Sequence, residues 1–430
     1  MTRLGLALAA GALALLLVGP AAANETVIFV GGDKAKAAGG KWVKDLTKGF
    51  VAAAAAVNQG GAQTVIVRVA AGDSTGDLGS GAYALPQFNN PEGTLRIVGG
   101  WDAGFAARDP FGTPSRVVCP EGRQSPMWDL PKNCKLKVFV LDGMHFDAVG
   151  GNKYRDRALL VGSSCTFKLI NWNMLETDLL QVESCTFLNS ADRVMETLIR
   201  AATPQAEIRF RNNLFVNCRI PLKLDTARFR NKPARILVDR CSFLLNWGYN
   251  PDPDTANPAA LELGPSDACG RFELTNNLFY ANFGGAILAL NLKNSPVVLN
   301  GNDFVGNGLL HGKPEPDAVA IIVAAGGKKQ PLALDKLEDV PFVEEAEGNV
   351  SVAPGIALSI GDVRPVDKDQ VKANRGWEND VNRILGRPLQ GGTVKIGEYA
   401  PPQTWDPANP PFPAEDAAKR YGASPELVAR

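Results

Sequence analysis

The sequence predicts an all-β solenoid, coils of parallel strand stacked along one axis, with a helix capping the N-terminal end. Three observations predict it: a recurring phenylalanine, an apolar alternation in fixed register ahead of it, and a small polar or thiol residue two positions before it. The phenylalanines are Phe146, Phe167, Phe187, Phe215, Phe243, Phe279 and Phe304, separated by 21, 20, 28, 28, 36 and 25 residues. Self-similarity at a period of roughly 20–50 residues marks a chain built from one stacked unit.

The register holds across the repeats. Seven residues before each phenylalanine stand Phe139, Leu160, Leu180, Ile208, Ile236, Phe272 and Val297; five before stand Leu141, Gly162, Val182, Phe210, Val238, Leu274 and Leu299. A spacing of two is the alternation of a strand with one face buried. Gly162 interrupts the row, and one extra residue there, a bulge, would turn Leu159 and Val161 inward. Two before the phenylalanine stand Met144, Cys165, Cys185, Asn213, Cys241, Asn277 and Asn302. Stacked Asn amides at a corner can bond each other and the next coil's backbone, and cysteine fills the same small slot. The rungs are β-branched, aromatic and rich in Asn and Gly, which argues against a helical solenoid.

The segments Val182-Glu183-Ser184-Cys185-Thr186-Phe187, Phe210-Arg211-Asn212-Asn213-Leu214-Phe215 and Leu274-Thr275-Asn276-Asn277-Leu278-Phe279 resemble rungs of the right-handed parallel β-helix, the pectate-lyase-like fold. Residues 69–73, the stretch Gly99-Gly100-Trp101, Arg108-Asp109-Pro110 and Leu141-Asp142-Gly143 are similar to the N-terminal part of polymorphic-outer-membrane-protein-like β-helix proteins. That resemblance covers roughly residues 26–310. Such proteins often end in an outer-membrane barrel. This chain instead ends Pro-rich, without alternating segments of about ten residues. Enzymes of the resembled fold are mostly polysaccharide lyases and glycoside hydrolases with clefts on a sheet face.

The chain opens Met1-Thr2-Arg3, runs apolar over 4–18 and closes on Ala21-Ala22-Ala23 before Asn24. A charged start, an apolar stretch and a small-residue exit read as a secretory signal peptide cleaved after Ala23. The expected location is therefore secreted, periplasmic or cell surface. No later run is long and apolar enough to span a bilayer. Lys plus Arg equals Asp plus Glu at 45 each, so nothing favours nucleic acid or an anionic membrane as partner. The expected organisation is a signal peptide over 1–23, a parallel β-helix with N-terminal cap over 24–326, and a C-terminal cap and Pro-rich tail over 327–430. The cap is a helix predicted over 41–58, with Trp42, Leu46, Phe50, Ala54 and Val57 on one face and Gly60-Gly61 as its stop.

Seven cysteines leave at least one unpaired in a monomer. Coils about 4.8 Å apart would bring Cys165 within reach of Cys185. Inward free thiols are the favoured reading there, because a disulfide needs a particular dihedral. Cys119 and Cys134 flank a loop and are the better disulfide pair in an oxidising compartment.

Chemistry would sit on outward rows. Four before each phenylalanine the row is Asp142, Ser163, Glu183, Arg211, Asp239, Thr275 and Asn300. If the protein is an enzyme, Glu183, Arg211 and Asp239 are its catalytic residues. The two carboxylates would stand about 9–10 Å apart by strand spacing, at the long end of inverting glycosidases, with Arg between as base or uronate clamp. The competing and favoured reading is a salt-bridge ladder worth about 0.2–1 kcal/mol per pair. No Gly-His-Gly and no paired Asp-Asp rung, the polygalacturonase and pectate-lyase signatures, occurs. With only His145 and His311, both read as surface residues, a multi-histidine zinc site is excluded beyond these two.

For ligand binding the candidates are Trp172, Trp247 and Tyr249, which follow the phenylalanine corner together with Tyr280 and Phe283, and Arg209, which with Arg211 would select acidic groups. These rings could equally pack loops onto the column. The basic run Arg228-Phe229-Arg230-Asn231-Lys232-Pro233-Ala234-Arg235 is a solvated loop or a clamp for an anionic glycan. Asn250-Pro251-Asp252-Pro253-Asp254 and Asn257 space oxygen ligands as calcium loops do, without the EF-hand glycine and glutamate. No cofactor is expected, calcium being the one left open. The leading expectation is an exported, non-catalytic β-helix protein with a surface-structural or glycan-binding role, its partner a polysaccharide or cell-surface glycan. The alternative is a polysaccharide lyase or glycoside hydrolase acting on an acidic polysaccharide.

Overall fold

The computed structural model describes residues 25–74, 83–118, 127–147, 169–188, 190, 193–216, 218, 220–246, 259–265, 267–282, 285–292, 294–308, 319–325, 328–356 and 412–428. Regular structure there is predominantly β, organised as three long sheets of 13, 8 and 9 strands. The chain visits the sheets in rotation. Glu207–Arg211 lies in the first, Leu214–Val216 in the second and Ile220–Leu224 in the third; Arg235–Asp239, Ser242–Leu244 and Ala259–Leu263 then repeat the circuit. Each strand pairs in parallel with its counterpart one circuit on. The exception is Lys328–Leu332, antiparallel to Ile321–Ala325 at the edge of the third sheet.

The expected register holds residue for residue in the first sheet: Leu180 pairs with Ile208, Ile208 with Ile236, and Val182 with Phe210. These side chains are buried in one continuous core that runs from Ile28 to Val340. In the second sheet the phenylalanine rings stack face to face from Phe146 to Phe304, centroids 4.9–5.3 Å apart and planes within 12°. One expected coil is corrected. Phe146 pairs directly with Phe187, and Leu141 with Val182, so no rung carrying Phe167 or a bulge at Gly162 is interposed. Residues 148–168 lie outside the described part.

Two features of the corner explain the sequence there. The residue three before each phenylalanine is left-handed: Gly143, Ser184, Asn212, Arg240, Asn276 and Gly301 have φ between 50° and 67°. Gly and Asn suit that conformation; Ser184 and Arg240 bear its cost. The next residue is buried and carries an amide ladder. Asn277 Oδ1 accepts the Cys241 N–H at 2.9 Å, while its Nδ2 donates to Val238 O and to Asn302 Oδ1, each at 2.9 Å. A second ladder sits three residues after the phenylalanine, at Asn246, Asn282 and Asn307. Asn282 Nδ2 there donates to Phe243 O at 3.0 Å and to Asn307 Oδ1 at 2.8 Å.

At the N-terminal end the helix is shorter than the periodicity predicts. Lys41–Val43 is a strand paired with Glu25–Val30, and the helix runs Leu46–Val57 behind an Asp45 cap that accepts the Lys48 N–H at 2.8 Å. The capping carboxylate, with strand pairing just before it, sets the start. Trp42 therefore leaves the helix face, and its Nε1 donates to Gly31 O at 2.8 Å. Phe50 packs edge-on to Trp128 at 5.1 Å, and Trp128 edge-on to Phe146 at 5.0 Å, which joins the helix to the phenylalanine column.

The glycine-rich segment and the Arg108-Asp109-Pro110 and Leu141-Asp142-Gly143 segments meet in space. Arg108 pairs with Asp142, both nearly buried, and its Nε donates to Gly99 O at 3.0 Å. Burial pushes the Asp142 carboxyl up to about 6, with Arg108 opposing the rise. At the other end the first sheet continues past residue 326, where Val343–Glu345 pairs with Val297–Asn300. The C-terminal segment 412–428 returns to the column: Ala423 N donates to Ser242 Oγ at 2.8 Å, and Ser424 N to Asn212 Oδ1 at 2.7 Å.

Cysteine chemistry differs from one expectation. Cys134 is a buried free thiol, against the expected bridge to Cys119, which lies outside the described residues. Cys185 and Cys241 are inward free thiols as expected, and burial pushes Cys241 up to about 12. Cys185 follows Met144 in the column, not Cys165, since their strands are direct neighbours.

Candidate functional site

The row Asp142, Glu183, Arg211, Asp239, Thr275 and Asn300 does lie in line across the first sheet's outer face, each residue paired with the next. Its polar groups are engaged with one another. Arg211 lies 3.9 Å from Glu183 and 3.7 Å from Asp239. Gln181 Nε2 donates to Glu183 at 2.6 Å, and Asp239 Oδ1 accepts from Thr275 Oγ1 at 2.8 Å and from Asn276 Nδ2 at 3.0 Å.

Two to four residues nearer each strand's start a second ladder runs beside it. Glu207 is bridged by Arg209 (Nε at 2.7 Å) and Arg235 (3.2 Å), and Arg235 reaches on to Glu273 at 3.3 Å. Burial opposes ionisation of Glu207, yet the hydrogen bonds and charges of Arg209 and Arg235 hold it below the ordinary carboxylate range. Arg271 extends the chain of pairs from Glu273 to Glu344 at 2.9 Å and Glu345 at 3.3 Å. Arg209 is thus tied to Glu207 on its own strand.

The aromatic platform is corrected in part. Trp172 is wholly buried and packs edge-on to Phe139 at 5.4 Å, because the turn that follows Ile170–Asn171 directs that ring into the core. Tyr280 is buried as well. Trp247, Tyr249 and Phe283 lie outside the described residues, as do His311 and the calcium-like segment 250–257. His145, expected at the surface, is 2% exposed: it points outward from the second sheet, but that face is covered. Burial and the Arg116 charge depress its imidazole to about 3. Among the described residues no group of His, Cys, Asp and Glu is arranged to hold a metal ion, and no helix is long and apolar enough to cross a membrane.

A charged cluster on the third sheet escaped the sequence reading. Lys223 lies between cross-strand neighbours Glu196 (3.5 Å) and Glu262 (3.4 Å) and reaches Asp225 at 3.6 Å. Burial pushes Glu262 above the ordinary carboxylate range against the pull of Lys223. The only signal in the sequence is a charge at the same point of consecutive circuits.

The basic run does shape a cavity. The loops that precede three consecutive first-sheet strands stack at one corner, where Gly270 N donates to Pro233 O at 3.0 Å and Ala234 N to Ala206 O at 2.8 Å. They enclose about 570 Å³, bordered by Thr203, Arg230, Asn231, Lys232 and Asp267. Lys232 stands 3.9 Å from Asp267, whose Oδ1 also accepts from Asn294 at 2.5 Å. Arg230 is exposed and forms no ion pair with a described residue.

No protein-family model matches the chain, and neither does any curated protein or solved structure.

Proposed function

We propose that this chain is an exported right-handed parallel β-helix, capped by its N-terminal helix and pectate-lyase-like in architecture, that holds an acidic polysaccharide or cell-surface glycan without cleaving it. The observation that carries this reading is the corner cavity with Arg230 and Lys232 on its rim. Its volume of about 570 Å³ falls in the range of about 300–1,000 Å³ usual for small-ligand sites. A guanidinium grips a carboxylate through two parallel hydrogen bonds, and an ammonium adds a point charge. Because the corner spans three consecutive circuits, a linear polymer laid along the axis would meet these loops in register with the coils. The non-catalytic part is supported by the first sheet's outer face, where Glu183 and Asp239 are bound into ladders with Arg211, Gln181 and Thr275. The export signal over 1–23 supplies the location.

The test is titration calorimetry of the processed protein with polygalacturonate and with a neutral polymer of similar length. The acidic polymer should bind, the neutral one should not, and Arg230→Ala with Lys232→Ala should weaken binding at least about ten-fold. No binding, or binding indifferent to both substitutions, would remove the reading. Release of unsaturated or reducing ends by wild type, lost in Glu183→Gln with the fold intact, would hand the protein to the enzyme alternative.

A further inference from the structure

A second cleft, of about 250 Å³, opens on the outer face of the first sheet near its N-terminal end. Its floor is apolar: Ile66 and Val98, cross-strand neighbours of Arg96 and Arg68 respectively. Its rim is formed by the glycine-rich segment through Trp101 and by the following segment through Arg108, with Asp142 beside it. Arg108 is committed to Asp142, so those two charges offset each other. Neither Arg68 nor Arg96 forms an ion pair with a described residue, although the Arg96 charge also acts on the Asp142 carboxylate beside the cleft. The Arg68 guanidinium is held 4.6 Å from the centroid of Trp101 and 5.7 Å from that of Phe29, so its direction is set by two rings. Trp101 Nε1 is buried with no hydrogen-bond partner among the described residues, a further donor left unused.

Guanidinium groups in excess of carboxylates, beside an indole and over an apolar floor, match a ligand that joins a carboxylate to a compact ring. The volume lies below that of a drug-sized pocket and leaves room for one such ring. We propose that this cleft binds a single uronate residue, its carboxylate on Arg96 and Arg68 and its ring against Trp101, Ile66 and Val98. The site shares no residue with the corner cavity and does not rest on the function proposed for it.

The probes are D-galacturonate, D-galactose and inorganic sulfate, titrated against the processed protein by calorimetry and indole fluorescence. Galacturonate should bind and galactose should not. Arg96→Ala should weaken galacturonate about ten- to a hundred-fold. Its circular dichroism and unfolding midpoint should stay at wild type, because Arg96 is exposed and forms no ion pair with a described residue. Arg230→Ala with Lys232→Ala should leave this binding unchanged, which separates it from the corner cavity. The proposal is overturned if galacturonate does not bind or if Arg96→Ala has no effect. It is also overturned if sulfate binds as tightly as galacturonate, which would dismiss the ring contacts, or if the Arg230 and Lys232 variant abolishes binding.

Discussion

Asn277→Ala tests what holds consecutive circuits in register. Asn277 is fully buried, and its side chain makes three hydrogen bonds at 2.9 Å: from the Cys241 N–H, to Val238 O and to Asn302 Oδ1. Asn302 Oδ1 keeps the Asn277 backbone N–H at 3.0 Å after truncation. One backbone group is then orphaned, the Cys241 N–H, while the Val238 carbonyl, part of the ladder to the next strand, loses its second donor. An orphaned buried group costs about 1–3 kcal/mol, against about 0.5–1.5 kcal/mol for one ordinary net hydrogen bond. The loss should therefore exceed what side-chain removal alone suggests. Asn277→Cys should cost less, because the chain already uses cysteine at this position, where Cys185 Sγ lies 3.7 Å from Leu141 O, the carbonyl equivalent to Val238 O. Asn277→Asp should cost most, since it places a second acceptor against Val238 O and Asn302 Oδ1. Guanidinium unfolding gives the order. Amide exchange at Cys241 locates the effect, since in stacked repeats damage is felt first by the neighbouring unit. An Ala variant losing less than about 1 kcal/mol, or a Cys241 amide as protected as before, would refute the ladder as the register device.

Phe243 is sandwiched between Phe215 and Phe279, each 4.9 Å away, so Phe243→Ala should lose about 3–5 kcal/mol in the same unfolding assay. Gly143 sits at φ 67°, with an added Cβ 2.6 Å from Arg108 Nη2; Gly143→Ala should cost at least about 2 kcal/mol from backbone strain and displacement of Arg108 from Asp142. The Asp303 carboxyl is pushed to about 7 by burial, with the Val352 N–H and the Tyr421 hydroxyl opposing the rise. Its folded value lies above its unfolded one, so the folded state holds the extra proton. Stability is then greatest at low pH and falls as pH rises from about 4 to about 7. Amide protection at Gly422 and Ala423, corrected for intrinsic exchange, should drop across that window, and Asp303→Asn should flatten the drop.

The column is legible in the sequence because one bulky ring and two alternating apolar positions recur in a register that tolerates loop variation. What misleads is Phe167: the pattern around it resembles a rung, but the direct pairing of Phe146 with Phe187 gives it no place between them. A local motif cannot say which circuit it joins. Trp172 fails for a related reason. A tryptophan just past a strand looks the same on paper whether the turn directs it outward or, as here, onto Phe139. The Glu183–Arg211–Asp239 row is legible because parallel register converts sequence offset directly into adjacency. The Arg108–Asp142 pair joins residues 34 apart, and the segments that carry it are visible only as separate motifs.

Where a ligand can reach this protein follows from which outer faces its own chain covers. In the second sheet the residues on both sides of the phenylalanine are buried as well, as in Leu214-Phe215-Val216 and Leu278-Phe279-Tyr280. A strand apolar at consecutive positions is buried on both faces. Part of the cover is the C-terminal segment, whose Ser424 bonds Asn212 across 212 residues of sequence, a contact with no periodic signature. On the third sheet Ala259, Leu288, Ile322 and Ala324 form a buried cluster of their own outside the main core. The first sheet is different, for its outer face carries Arg96, Gln181, Arg209 and Arg211 at least partly open to water. Both basic clefts, the one at Arg230 and Lys232 and the one at Arg68 and Arg96, lie on that face or on the corner leading into it. Binding energy must be gained where side chains still exchange contacts with solvent. A ligand large enough to span several circuits therefore has the first sheet and this corner available to it, and substitutions on the covered faces should change stability before they change affinity.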